Sequence, residues 1–341
     1  MSTLRAAVVQ DAPVPFDVEA TLRRVETRAR EAAGWGARLA VFPEAFLGGY
    51  PKGLDFGARV GSRSPEGRRL FERYAAAAVD VPGPATQRLG ALARETGLHL
   101  VVGAVEREGG TLYCSALFVG ADGTLLGKRR KVMPTAVERL IWGFGDGSTL
   151  GVFGTPIGRL GGAICWENYM PLLRTALYAQ GIELWAAPTV DDRESWLATM
   201  RHVAMEGRCF VLSASQCARR RDVPGGVESA PDEDPDALVI RGGSCVVSPL
   251  GEVLAGPLFD QPGILLAELD MGAVARGKMD LDVVGHYARP DLFRLHVDTR
   301  EQRSVTVAPD DPEPPEPPAG RRDGRRRPGP APGAPPAGGS A

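Results

Sequence analysis

A chain of 341 residues, 43% of them hydrophobic and with a formal charge of −2, carries enough apolar material for a large core and has the composition of a soluble globular protein. The near-neutral charge leaves no footprint for nucleic acid or an anionic membrane surface, and no apolar run reaches membrane-spanning length.

In chain order, Leu4–Val9 reads as a first strand. The spacing then predicts a helix over Asp17–Ala33, with Asp17 as its cap and Leu22, Val25 and Ala29 as its apolar stripe. A strand at Leu39–Phe42 and a helix over Pro84–Glu95 follow, the helix opening on proline and stopping before Gly97. Strands at Leu98–Val105 and Cys114–Val119 come next, the second turning at an Asp-Gly pair into Leu125–Leu126. Beyond them lie a strand at Arg159–Cys165, a helix over Met170–Gln180, a strand at Leu184–Ala187, a helix over Glu194–Glu206 and a strand at Cys209–Ser213. Residues 218–238 lack apolar periodicity and are expected to form an exposed loop. A hairpin joining Ser244–Ser248 to Val253–Leu254 and a strand at Ile264–Glu268 complete the set. Most of these strands are continuously apolar, as strands covered on both faces must be, so the alternation defines an α/β fold. The folded body is expected to cover residues 1–303. Residues 304–341 are rich in Pro, Gly and Arg, bury almost nothing, and should be a disordered, solubilising tail, its Arg321–Arg327 cluster included.

Five cysteines without compact spacing, behind an N-terminus that lacks a secretory apolar region, predict reduced thiols and a cytoplasmic location. The four histidines are scattered and form no HExxH pair, so no catalytic metal is expected. Three residues instead stand at the ends of strand-like runs, where α/β enzymes place working groups. Glu44 follows the run Leu39–Pro43, Lys131 lies in GKRRKVMPT, and Cys165 ends its strand in GRLGGAICWENYMP. Taken singly, each has a plainer reading: a solvated acid, one member of a basic run with Lys128, Arg129 and Arg130, and a core thiol. Together they supply a base, a cation and a nucleophile without histidine. Lys131 and the dipole of a helix starting near Asn168 or Tyr169 are expected to favour the thiolate.

The sequence resembles the nitrilase branch of the carbon–nitrogen hydrolase superfamily over about residues 4–300. The resemblance is carried by FPEAFLGGYPKG, GKRRKVMPTAVERLIWGFGDGS, GGAICWENYMPLLRTALYAQGIELWAAPT, HVAMEGRCFVLSAS and GHYARPDLF. It implies a four-layer α-β-β-α sandwich and a catalytic Glu44, Lys131 and Cys165, with Glu138 orienting Lys131 or the substrate. It also implies a homodimer that continues into higher oligomers or spirals. The implied partner is a small-molecule nitrile, hydrolysed with two waters to acid and ammonia through thioimidate and thioester intermediates, with no cofactor. An amidase or a cyanide-hydrolysing or -hydrating enzyme would use the same residues, and a non-catalytic scaffold is the alternative of another class. Trp166 and the following Glu-Asn-Tyr-Met-Pro have the nitrilase form.

Pocket walls are expected from Tyr50 or Lys52, Trp142, Trp166 and Thr189–Trp196. GFGDGS at 143–148 lacks the spacing of a phosphate loop and should be a turn. His202 should pack or hydrogen-bond, and Cys114, Cys209, Cys217 and Cys245 should be core or near-core residues. His286 and Arg289 are expected to fix a segment near the site or a dimer face.

Overall fold

A computed structural model describes residues 3–305; beyond Val305 the expected tail lies outside the described residues. In chain order the strands are β1 (Thr3–Gln10), β2 (Leu39–Val41), β3 (Ala58–Arg59), β4 (Ser62–Arg63), β5 (His99–Glu108), β6 (Thr111–Val119), β7 (Leu125–Arg130), β8 (Phe153–Thr155), β9 (Gly158–Gly162), β10 (Leu184–Thr189), β11 (Phe210–Ser215), β12 (Cys217–Arg219), β13 (Leu238–Val247), β14 (Val253–Phe259) and β15 (Gly263–Asp270). The helices are α1 (Val18–Gly34), α2 (Pro65–Ala76), α3 (Pro84–Thr96), α4 (Pro171–Tyr178), α5 (Glu194–Gly207), α6 (Gly226–Ser229) and α7 (Gly272–Asp280).

Two large sheets result. The first runs β15-β1-β2-β5-β6-β7 and the second β12-β13-β11-β10-β9-β8, with β14 paired to β13. The centre of each is parallel, β1-β2-β5 in one and β9-β10-β11 in the other, while hairpin-type antiparallel strands extend the edges.

Alternation along the strands builds the layers. Ala6 and Val8 of β1 share a cluster with Leu160, Leu184, Ala186, Phe210 and Leu212 of the second sheet, so this is the core between the sheets. Their neighbours Ala7 and Val9 pack instead with Leu22, Val25 and Ala29 of α1 and Leu89 of α3. On the far side, Trp185, Ala187 and Val211 meet Leu177 of α4 and Met200 and Val203 of α5. Each fully buried Leu or Val contributes about 1.5–3 kcal/mol relative to exposure. The result is the expected α-β-β-α sandwich, and Met1–Gln302 fall in one compact unit.

The predicted caps are present: Asp17 Oδ1 accepts from Ala20 N at 2.7 Å, and Gly97 ends α3 in the left-handed conformation with φ 70°. Three differences stand out. Helix α2 has a Ser64 cap and Pro65 at its start, but only Gly67 and Tyr74 are buried, too few to give an apolar stripe. Helix α7 likewise buries only Val274 and Gly277. The segment 218–238, expected to be an exposed loop, begins inside β12, contains α6, and buries Ala218 and Val223. Its short elements are pinned by neighbouring chain rather than by their own periodicity, which a sequence pattern does not register.

Candidate active site

Glu44 follows β2 through Phe42 and Pro43 and is fully buried. The turn that carries it lies against Gly103 of β5, where a Cβ would stand 2.0 Å from Pro43 O and 2.8 Å from Glu44 Cα. Only glycine admits that approach. Gln216 Nε2 donates to the Glu44 carbonyl at 2.7 Å, fixing the turn from the second sheet.

Lys131 is the first residue past β7, and its Nζ donates to Glu44 Oε1 and to Glu138 Oε2, each at 2.7 Å. Glu138 lies in a 3₁₀ turn, Ala136–Leu140, and accepts from Thr135 N at 2.6 Å and from Tyr50 Oη at 2.8 Å. Lys131 is thus clamped between two carboxylates. Burial pulls its pKa down, but Glu44 and the other acidic groups around it outweigh burial and raise it well above the usual lysine value. The ammonium stays charged.

Cys165 opens a 3₁₀ turn, Cys165–Tyr169, just after β9, and holds φ 50°, a left-handed conformation strained for a side-chain-bearing residue. Asn168 Nδ2 donates to Ala163 O at 2.9 Å and Cys165 O at 2.8 Å, while its Oδ1 accepts from Trp185 Nε1 at 2.8 Å. Thr189 Oγ1, at the end of β10, donates to Cys165 Sγ at 3.2 Å. Two influences oppose each other at the sulfur: Lys131 favours the thiolate as expected, and burial opposes it. Burial first and the Glu44 charge second push the Cys165 pKa up, outweighing Lys131, so Cys165 needs a base to take its proton as it attacks. The helix expected to start at Asn168 or Tyr169 does not, since α4 begins at Pro171. Burial also raises the pKa of Glu44, against the pull of Lys131, which makes it a stronger base than an exposed carboxylate. Glu44 Oε2 has no hydrogen-bond partner among the described residues.

A cavity of about 410 Å³ opens onto Cys165, with Tyr50, Glu138, Ile141, Trp166 and Arg193 among its walls. Trp166 Nε1 donates to Asp191 Oδ2 at 2.8 Å, and Arg193 covers the indole at 4.8 Å while pairing with Asp191. Of the expected stretch Thr189–Trp196 only Val190–Arg193 line the cavity, and both Trp142 and Trp196 lie elsewhere. Trp142 packs edge-on behind Tyr50, ring centres 5.7 Å apart, and Trp196 donates to Ser213 Oγ at 2.8 Å in the core.

All four predicted site residues therefore meet. The sequence reading missed Thr189 as a partner of the sulfur, Gly103, and the pair Arg129–Glu167, whose side chains are almost completely buried and bonded at 2.9 Å. His286 and Arg289 are exposed; His286 stacks edge-on with Tyr287, and Arg289 pairs with Asp291. His202 lies 3.6 Å from Glu206 on α5. GFGDGS is a turn capped by Asp146, which also accepts from Gln302 N at 2.8 Å. Cys114, Cys209, Cys217 and Cys245 are free and buried. Among the described residues no group of three or more His, Cys, Asp or Glu side chains is placed to hold a metal, and no helix is long and apolar enough to cross a membrane.

Two sheets that bring a cysteine and a glutamate to one cavity, with a buried lysine bonded to that glutamate and to a second one, define a hydrolase site built on a thiol. Residues 5–279 match the carbon–nitrogen hydrolase family, and the chain belongs to it. Its similarities fall on the nitrilase branch. It is 56% identical over 307 residues to an aliphatic nitrilase of Sinorhizobium fredii, covering 90% of this chain and 99% of that one. It is 54% identical over 309 residues to a bifunctional nitrilase/nitrile hydratase of Lupinus angustifolius, covering 89% of this chain and 88% of that one. Among solved structures, an amidase of Nesterenkonia from the nitrilase superfamily superposes with a TM-score of 0.60 at 24% identity, over 81% of this chain and 95% of the other, a likeness of fold.

Proposed function

We propose that the protein is a nitrilase that converts an organic nitrile and two waters into a carboxylic acid and ammonia. The observation that carries this reading is Cys165 at the cavity wall, with Lys131 held between Glu44 and Glu138 beside it. Cys165 Sγ attacks the nitrile carbon as Glu44 takes the thiol proton and passes it to the nitrile nitrogen, giving a thioimidate. Lys131 and the N–H of Trp166 stabilise charge building on that nitrogen. Glu44 then deprotonates a water that adds to the carbon. The nitrogen, fully protonated, leaves as ammonia, and a thioester remains. A second water, activated in the same way, releases the acid and restores the thiol.

The reading extends to a reduced, cytoplasmic enzyme assembled as homodimers that stack into spirals, which light scattering of the reduced protein tests. The decisive assay is release of ammonia and acid from a panel of aromatic, arylaliphatic and aliphatic nitriles, cyanide and matched amides, with Cys165→Ala alongside. Acid and ammonia in equal amounts from a nitrile, absent in the variant, support the proposal. Turnover of amides alone overturns it.

A further inference from the structure

The buried ion pair of Arg129 and Glu167 is unused by the chemistry above, yet it spans the two halves of the site. Arg129 is the last but one residue of β7, two positions before Lys131, and Glu167 is two positions after Cys165. Arg129 Nη2 donates to Glu167 Oε1 at 2.9 Å, and Arg129 Nε donates to Gly162 O at 3.1 Å, the last residue of β9. The carboxylate takes further bonds from both sheets: Val132 N donates to Oε1 at 2.7 Å and Ile164 N to Oε2 at 3.0 Å. Three bonds therefore connect positions 129 and 132, which bracket Lys131, to positions 162 and 167 on either side of Cys165, and a fourth ties Ile164 to Glu167 across Cys165 itself. The Arg129 side chain is 1% exposed and that of Glu167 0%. A charge pair at that depth is weak evidence for stability, because desolvation offsets most of the attraction, so its value lies in the geometry it imposes.

We propose that Arg129 and Glu167 are positioning residues that set the separation of the Lys131 ammonium and the Cys165 sulfur and hold Cys165 in its left-handed turn. Neither touches the substrate; they act by fixing where the cation and nucleophile stand. A misplacement of about 1 Å in such a pair lowers turnover on the order of 100-fold. The loss falls on kcat, since the cavity walls that hold the nitrile belong to other residues.

This inference rests on Cys165 being the nucleophile of the proposed reaction, and its test separates the two. Glu167→Gln keeps the shape of the side chain and removes its charge; Arg129→Lys keeps the charge and removes the fork. The double variant Arg129→Met with Glu167→Gln leaves no buried charge unpaired, and so remains testable where a single variant does not fold. Each folded variant is assayed for kcat and KM on the best nitrile and for the rate of Cys165 alkylation by iodoacetamide, with Cys165→Ala as background. The expected result is kcat lowered about 30- to 100-fold with KM within about threefold, alkylation slowed at least fivefold, and the double variant no worse than either single one. Folded variants with unchanged kcat and unchanged alkylation, or a loss carried wholly by KM, overturn the proposal. Should no nitrile be turned over by the parent protein, the alkylation rates alone decide: equal rates in parent and double variant overturn it.

Discussion

Thr189 Oγ1 donates to Cys165 Sγ at 3.2 Å, and the same oxygen accepts from Asp191 N at 2.9 Å, so the hydroxyl proton is directed at the sulfur. As negative charge builds on sulfur during attack, that bond strengthens, and its loss costs about 1 kcal/mol. Thr189→Ala is expected to lower kcat about fivefold, and Thr189→Ser to retain most of it, in steady-state nitrile hydrolysis. Equal activity in all three would remove Thr189 from the mechanism.

Glu44→Gln preserves the volume of a fully buried side chain but cannot take a proton. Turnover is expected to fall by about 10²–10⁴, the usual worth of a positioned general base. Mass spectrometry of the variant after exposure to a nitrile checks where the reaction stops.

The pH dependence follows from the raised pKa of Glu44. Burial lifts it above its ordinary 4.5, and the base works only when deprotonated, so kcat/KM falls as pH drops through a value above 4.5. Lys131 is shifted up from 10.5, so it remains an ammonium through neutral and mildly alkaline pH. Because Glu44, Lys131 and Cys165 interact closely, the acid limb reports the group as a whole. An acid limb below pH 4.5 would contradict the assignment.

Glu44, Lys131 and Cys165, the residues proposed to react, could be picked out in the sequence because each follows a strand-like run inside a long contiguous motif. What each one leans on could not. Arg129 sits in a run of four basic residues, and nothing local distinguishes it from Lys128 and Arg130, which pair with Glu106 instead. Its partner is Glu167, in the turn that follows β9 of the other sheet, and such a contact leaves no periodic trace. Gly103 looks like any glycine in a strand until the Glu44 turn is seen against it. Helix α1 was legible from its cap and apolar stripe and α3 from its proline start and glycine stop, whereas α2 and α7 bury too little to write a stripe.

Gly103→Ala tests that turn. Its Cβ would stand 2.8 Å from both Ala45 N and Glu44 Cα, so the backbone must move and carry the carboxylate with it. The expected outcome is a loss of at least tenfold in kcat together with a loss of stability on urea unfolding, since a backbone displaced in a close-packed interior also costs packing.

Glu106 gives a stability prediction away from the site. Its side chain is 1% exposed and pairs with Lys128 and Arg130, and Ser115 Oγ donates to it at 2.7 Å. Burial raises its pKa, but the hydrogen bonds from Arg130, Lys128 and Ser115 outweigh burial and hold it below 4.5. A depressed carboxylate contributes stability that is present above its unfolded pKa and lost as pH falls through the folded value. Glu106→Gln should cost about 2–3 kcal/mol at pH 7, the low end for breaking a buried pair because Lys128 and Arg130 keep some solvent. Urea titrations should show the gap between parent and variant closing as pH falls below 4.5.

Glu44 and Lys131 hang from one sheet and Cys165 from the other, so the reacting atoms straddle the apolar seam that joins the halves of the molecule. A shear of one strand residue along that seam, about 3.3 Å, would leave both sheets intact and part the acid and the cation from the sulfur. Catalysis therefore gauges interlayer alignment, and mild denaturant should silence the enzyme while its secondary structure still stands.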